Sequence, residues 1–238
     1  MRDRDVDLDG FKRAAAERAV AAVSSGMTVG LGSGTTAEFA LAALAARIGR
    51  GLRIAGVPTS ERIAELAHRH GIPLVPLDGR PIDIAIDGAD EIERGTLNLI
   101  KGGGGSLVRE KLVVRASRRF VVIADESKLV DRLGARVQLP VALLPFARAL
   151  VLHHLDSLGT GAAVRQADGR DFVTDDGLLI ADCSCTAIAD PAALAARLAA
   201  VPGVVDCGLF LGFTAQAVIA GAAGVEVIAP TPRGAKPQ

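Results

Sequence analysis

Neither sign of charge dominates this sequence: 27 Lys and Arg residues face 27 Asp and Glu over 238 positions. The broad positive field that nucleic acid or an anionic membrane surface demands is missing, so a small-molecule partner fits better. Cysteine is scarce, and three such residues cannot all pair with one another. Residues 1–10 alternate charges and lack the apolar run of a signal peptide, which together with the cysteine count predicts a reducing cytoplasm. Long hydrophobic runs are also lacking. The span 207–225 comes nearest, but Thr214, Gln216 and several glycines interrupt it, which predicts two buried strands and a turn instead of a membrane helix. No Cys-x-x-Cys pair accompanies Cys183, Cys185 and Cys207, which are expected in strands as buried small apolar groups. His68, His70, His153 and His154 fall on predicted helix surfaces, unconnected to the other polar clusters.

Half of the residues are apolar, enough for one sizeable core or for a larger domain with a smaller one. Phe11, Ala15, Ala22 and Val23 recur at helical spacing, and 27–31 follows as a short buried strand. Gly30-Leu-Gly-Ser-Gly-Thr-Thr36 then leads into a helix whose inner face is Ala37, Leu41, Leu44 and Ile48. That is the strand-turn-helix unit of parallel sheets. The alternation continues with strand 52–57, helix 60–70, short strands 73–76 and 82–86, strand 96–100, helix 107–116 and strand 120–124. An open, mostly parallel, Rossmann-like α/β sheet is predicted.

From about Leu133 the pattern changes. Strand 137–141, helix 146–158, strand pairing around 172–181 and helix 191–200 predict a small α+β unit of split βαβ, ferredoxin-like type. Residues 203–210 lead back to apolar strands that rejoin the first sheet. The expected division is 1–131 plus 208–229 as the α/β catalytic domain, 132–207 as the inserted small domain, and 230–238 as a flexible tail.

Polar residues gather where the predicted strands end, as ligand sites do in such sheets. The loop 30–36 has neither the G-x-G-x-x-G spacing nor a Walker lysine. It offers backbone N–H groups and the hydroxyls of Ser33, Thr35 and Thr36 at a helix amino end, which suits a phosphate; a tight turn with a Thr cap is the plainer reading. Asp87 emerges where strand 82–86 ends, and Asp90 follows a glycine turn. Two carboxylates in one cleft can exchange protons with substrate hydroxyls, whereas a hard-cation site is the lesser alternative, with no histidine nearby in sequence. Lys101 ends the next strand, before Gly102, Gly103, Gly104 and Gly105, and a cation there can hold an oxyanion. Glu110 lies near the start of the following helix, where it is also a good dipole partner. One acid, one base and one cation beside a phosphate pocket make a proton-transfer site.

Along nearly its full length the chain resembles the ribose-5-phosphate isomerase family of A type. The matching blocks are Gly30-Leu-Gly-Ser-Gly-Thr-Thr36, Asp87-Gly-Ala-Asp-Glu-Ile92, Lys101-Gly-Gly-Gly104, Arg109-Glu-Lys111, Ala124-Asp-Glu-Ser-Lys128, Leu139-Pro-Val141, Val173-Thr-Asp-Asp-Gly177 and Pro202-Gly-Val-Val205. The resemblance implies an aldose–ketose isomerase that needs no metal or other cofactor and interconverts ribose 5-phosphate and ribulose 5-phosphate in the pentose phosphate pathway. It implies that Glu110 is the general base acting through an enediolate, that Asp87 assists ring opening, and that Asp90 and Lys101 orient and stabilise the oxyanion. Ser33, Gly34, Thr35, Thr36, Gly88, Ala89, Gly102, Gly103, Gly104 and Lys128 would complete the sugar-phosphate pocket. A homodimer or homotetramer is implied too. The chain departs from the commoner pattern at Gly105-Ser106, where two alanines are frequent, and in the Ser/Thr order of the first loop; only fine positioning is at stake.

The rival from another class is a sugar-phosphate sensor that binds without catalysis. It would need a DNA-reading module, for which the charge balance and the short N-terminal stretch leave no room. A nicotinamide-dependent dehydrogenase is disfavoured by the missing fingerprint, and kinship with CoA transferases would rest on fold analogy alone.

Overall fold

The computed structural model describes residues 7–231. Asp7 caps the first helix, α1 (Leu8–Val20), by accepting a hydrogen bond from the Gly10 N–H. There follow β1 (Thr28–Leu31), α2 (Thr35–Ile48), β2 (Ala55–Pro58), α3 (Glu61–Arg69), β3 (Ile84–Asp87), β4 (Glu91–Glu93), β5 (Leu99–Ile100), α4 (Leu107–Arg115), β6 (Phe120–Asp125) and β7 (Leu129–Val130). The second half holds β8 (Leu139–Leu143), α5 (Arg148–Ser157), β9 (Ala163–Val164), β10 (Gln166–Ala167), β11 (Arg170–Asp171), β12 (Leu179–Cys183), α6 (Pro191–Ala199), β13 (Val204–Cys207), β14 (Leu209–Phe210), β15 (Gln216–Gly221) and β16 (Gly224–Ile228).

The six-stranded central sheet has the order β16-β15-β6-β3-β1-β2 and is parallel except for β16, which pairs antiparallel with β15. The open, mostly parallel α/β sheet read from the sequence is thus present, and β15 rejoins it beside β6. Strands β1, β3 and β6 are apolar at nearly every position because both faces are covered. Ala15, Ala19, Leu41, Leu44 and Ile63 from α1, α2 and α3 pack with Val29, Ile84 and Ile123 in one core cluster. The chain leaves β1 through α2 to reach β2 on one side, then returns through α3 to β3 on the other. That reversal opens a crevice at the carboxyl ends of β1 and β3, where open α/β sheets bind ligands.

The order β13-β8-β12-β9, antiparallel throughout, makes a second sheet in which two β-α-β units interleave, α5 following β8 and α6 following β12. This is the split βαβ arrangement expected from the sequence. The pairing anticipated around 172–181 is narrower: a single bridge joins Val173 to Leu179 around a turn, while β12 pairs with β8 and β9.

Other expectations change. Residues 73–76 contribute only a bridge between Leu74 and Gly56. The strand predicted over 96–100 shrinks to β5, because Leu97 adopts a left-handed φ of 53° in the preceding turn. The span 207–225 does contain two buried strands, β14 and β15, but they belong to different sheets, and β16 lies exposed at the edge of the central one. A small sheet of order β14-β5-β4-β7 was not foreseen, its strands being two or three residues long. Cys183 and Cys207 are buried in strands, whereas Cys185 lies beyond β12 and is half-buried; all three are free thiols. Among the described residues no helix is long and apolar enough to cross a membrane. Of the tail predicted from 230, Thr231 donates its N–H to the Gly95 carbonyl, and the remainder lies outside the described residues.

Candidate active site

A cavity of about 210 Å³ occupies the crevice between β1 and β3, lined by 33–36, 88–90, 101–104, Glu110 and Lys128. The residues singled out in five separate sequence blocks therefore meet at one place, except that Asp87 lies beneath the lining and is only 2% exposed.

Each segment arrives for a local reason. Gly34 is the N-cap of α2 and has no side chain to cap it, so the first-turn N–H groups of the helix stand free beside the cavity. Free donors and the positive end of the helix dipole suit a phosphate. Thr35 and Thr36 line the cavity in the same turn. The Ser33 hydroxyl differs from expectation: it donates to Ser60 Oγ at 2.9 Å and lies 2.7 Å from Thr59 Oγ1, so it ties the loop to the segment after β2. Asp87 ends β3, and its Oδ1 accepts the Gly88 N–H at 2.7 Å. Asp90 accepts the Gly103 N–H at 2.8 Å, joining the acidic turn to the glycine run. The third acid of that turn, Glu91, is structural: its carboxylate accepts the N–H groups of Gly134, Arg136 and Val137.

Glu110 belongs to the buried stripe of α4, with Leu107, Lys111 and Val114 at helical spacing. A carboxylate among these neighbours is costly to ionise. Lys101 Nζ lies 2.9 Å from Asp87 Oδ2 and 3.4 Å from Glu110 Oε2, and donates to the Gly88 carbonyl at 2.6 Å. All three ionisable side chains are at most 5% exposed. Burial pushes Glu110 up to about 8; Lys101 opposes the shift, while Asp87 and Asp90 add to it. Asp87 is raised as well, burial outweighing the ammonium. Burial alone would lower Lys101, but Asp87, Glu110 and Asp90 overcome it and hold the ammonium protonated. Two buried carboxylates share one cation, so the cluster retains a proton near neutral pH.

Glu110 Oε2 is buried without a hydrogen-bond partner. An acceptor with that surplus capacity, beside an ammonium and a helix amino end, can take a proton from carbon next to a carbonyl whose oxygen the ammonium polarises. The sequence reading missed Lys12 on α1, along with Asp125 at the end of β6 and Ser127 just after it, which line the same cavity. Lys12 also pairs with Asp9 at 3.3 Å. Lys12 carries no local motif, Asp125 and Ser127 fall in the block 124–128, from which the sequence reading takes Lys128 alone as a site residue, and only the fold brings α1 and the end of β6 to this crevice. The four histidines are absent from the lining.

The chain is similar to known proteins in both sequence and fold. The family model of ribose 5-phosphate isomerase A (phosphoriboisomerase A) matches residues 55–224. A ribose-5-phosphate isomerase A of Roseiflexus sp. (strain RS-1) is 53% identical over 233 residues, covering 96% of this chain and 100% of the relative. The structure of ribose 5-phosphate isomerase A from Methanocaldococcus jannaschii superposes with a TM-score of 0.89 at 39% identity, over 93% of this chain and 99% of that one. A D-ribose-5-phosphate isomerase in complex with phospho-erythronic acid gives a TM-score of 0.90 at 33% identity, over 94% and 99% of the two chains. By its matching blocks, its crevice and these relatives, the chain belongs to the ribose 5-phosphate isomerase A family.

Proposed function

We propose that this protein interconverts D-ribose 5-phosphate and D-ribulose 5-phosphate through an enediolate, with Glu110 as the base. The observation that carries the reading is Glu110 at the cavity wall, its buried Oε2 without a hydrogen-bond partner and in ion-pair contact with Lys101 Nζ at 3.4 Å. The sugar phosphate enters with its phosphate at the amino end of α2, where Lys12 and Lys128 supply counter-charge. Asp87, whose pKa burial raises against the pull of Lys101, assists opening of the furanose ring. Glu110 removes the C2 proton of the open aldehyde as electrons move onto O1, and Lys101 stabilises that oxygen while Asp90 orients the chain. Return of the proton from Glu110 to C1, with transfer of the O2 hydroxyl proton to the O1 oxyanion, yields the ketose and regenerates the carboxylate. The phospho-erythronic acid held by the relative is a four-carbon acid phosphate, whose planar carboxylate resembles an enediolate.

The same reading takes 1–131 plus 208–229 as the catalytic unit and 132–207 as the smaller one. It places the protein in a reducing cytoplasm, in keeping with its three free thiols. It also takes the protein as a homodimer or homotetramer, a state that the fully exposed Phe146 ring and the half-exposed Leu150 favour. Conversion of ribose 5-phosphate to ribulose 5-phosphate by protein treated with EDTA tests the activity. Sustained turnover supports it; binding of the sugar phosphate without turnover would replace it with a sensor.

A further inference from the structure

The two neighbours of Glu110 in sequence are both cations, and neither lines the cavity. Arg109 Nε donates to both oxygens of Asp176 at 2.9 and 3.1 Å, and its Nη1 donates to Glu61 Oε1 at 2.8 Å. Asp176 lies in the turn before β12, and Glu61 is the first residue of α3, whose N–H is itself held by Asp175 at 2.8 Å. Lys111 reaches elsewhere. Its Nζ donates to Asp206 Oδ1 at 2.5 Å and to the Cys207 carbonyl at 2.6 Å in β13, and lies 4.9 Å from the centre of the Phe210 ring. The same ring carries Lys101 Nζ at 5.7 Å.

On an α-helix successive residues point about 100° apart, so side chains at 109 and 111 leave α4 on either side of the direction of Glu110. A tie on one side resists rotation of the helix one way, and a tie on the other resists the opposite rotation. We propose that Arg109 and Lys111 are positioning residues of the isomerisation: anchored to α3 with the 174–178 turn and to β13, they fix the roll of α4 and with it the reach of Glu110. The proposal rests on Glu110 being the base. Stability is a poor account of the Arg109 side of this arrangement, because Arg109, Asp176 and Glu61 are 29%, 41% and 68% exposed and ion pairs of that kind contribute little. Reach is another matter, since a displacement of about 1 Å at a reacting group costs about 100-fold in rate.

The test compares Arg109→Met, Asp176→Asn, their combination, and Asp206→Asn, which removes a tie of Lys111 but keeps the cation. Each single change is expected to lower kcat by about 10-fold or more while KM for ribose 5-phosphate stays within about 2-fold, because the phosphate loop is untouched. The melting temperature of Arg109→Met and Asp176→Asn should hardly move. Their combination should be no slower than Arg109→Met, because both break one tie. Unchanged kcat in Arg109→Met and Asp206→Asn overturns the proposal, as does a rise in KM proportionate to the loss of kcat/KM. Glu110→Gln run alongside separates the two readings: if it is inactive while the other variants work at full rate, the base stands and the positioning role falls. If Glu110→Gln is itself active, the base assignment falls and takes the positioning role with it.

Discussion

Gly32 sits directly against Asp87: a Cβ built on the glycine would stand 2.2 Å from the carboxyl carbon. The close approach follows from the sheet, where Gly32 donates its N–H to the Ile86 carbonyl as the chain leaves β1. Gly32→Ala must therefore displace the Asp87 carboxylate from Lys101. Steady-state kinetics should show kcat lowered by about 10-fold or more, and thermal melts a destabilisation of about 1–3 kcal/mol, the usual cost of overpacking. A fully active Gly32→Ala would mean that the Asp87–Lys101 contact is dispensable.

Among the described residues, Lys101 is the one cation within ion-pair distance of two buried carboxylates. Lys101→Met is expected to abolish turnover and to leave Asp87 and Glu110 unpaired, a loss on the order of 3–5 kcal/mol when both are ionised. Both can escape by taking up protons, so the loss should shrink on moving from pH 8 to pH 5. Urea titrations at the two pH values check the sign.

The raised Glu110 has consequences for rate and for stability. As the base must be ionised, kcat/KM should climb with pH through an apparent value near 8 that belongs to the carboxylate cluster. Between the ordinary value of 4.5 and about 8 the folded protein holds a proton that the unfolded chain has released. Stability therefore falls as pH rises across that window. Glu110→Gln should flatten this dependence and, at pH 8 and above, melt higher than the parent protein. A steeper fall in the variant would contradict the account.

A phosphate seat made of the α2 amino end and two lysines predicts that inorganic phosphate competes with the sugar phosphate. Lys128→Ala should raise KM several-fold at nearly constant kcat. Inhibition assays on both proteins check this, and phosphate inhibition that is insensitive to the substitution would point to another seat.

The central sheet was legible because glycines, caps and apolar strands punctuate it: Ser60 caps α3 and Gly34 opens α2 as their local sequence requires. The site was legible for the same reason, since its residues sit in short blocks at strand ends. Distance in sequence hid the rest. Glu91 stands next to Asp90 in sequence, yet its partners are three N–H donors of the distant 134–137 loop. Lys12 carries no signal on α1, and the departure at 105 needed Phe172, whose ring lies 2.4 Å from where a Gly105 Cβ would fall.

The most direct test of the account is turnover of ribose 5-phosphate by Glu110→Gln in deuterium oxide, followed by NMR beside the unaltered protein, with sugar-phosphate affinity measured separately. The account predicts that the parent protein turns over and introduces solvent deuterium at C1 of ribulose 5-phosphate, while the variant binds the sugar phosphate but neither turns over nor exchanges. Turnover and exchange by Glu110→Gln at the parental rate would contradict it.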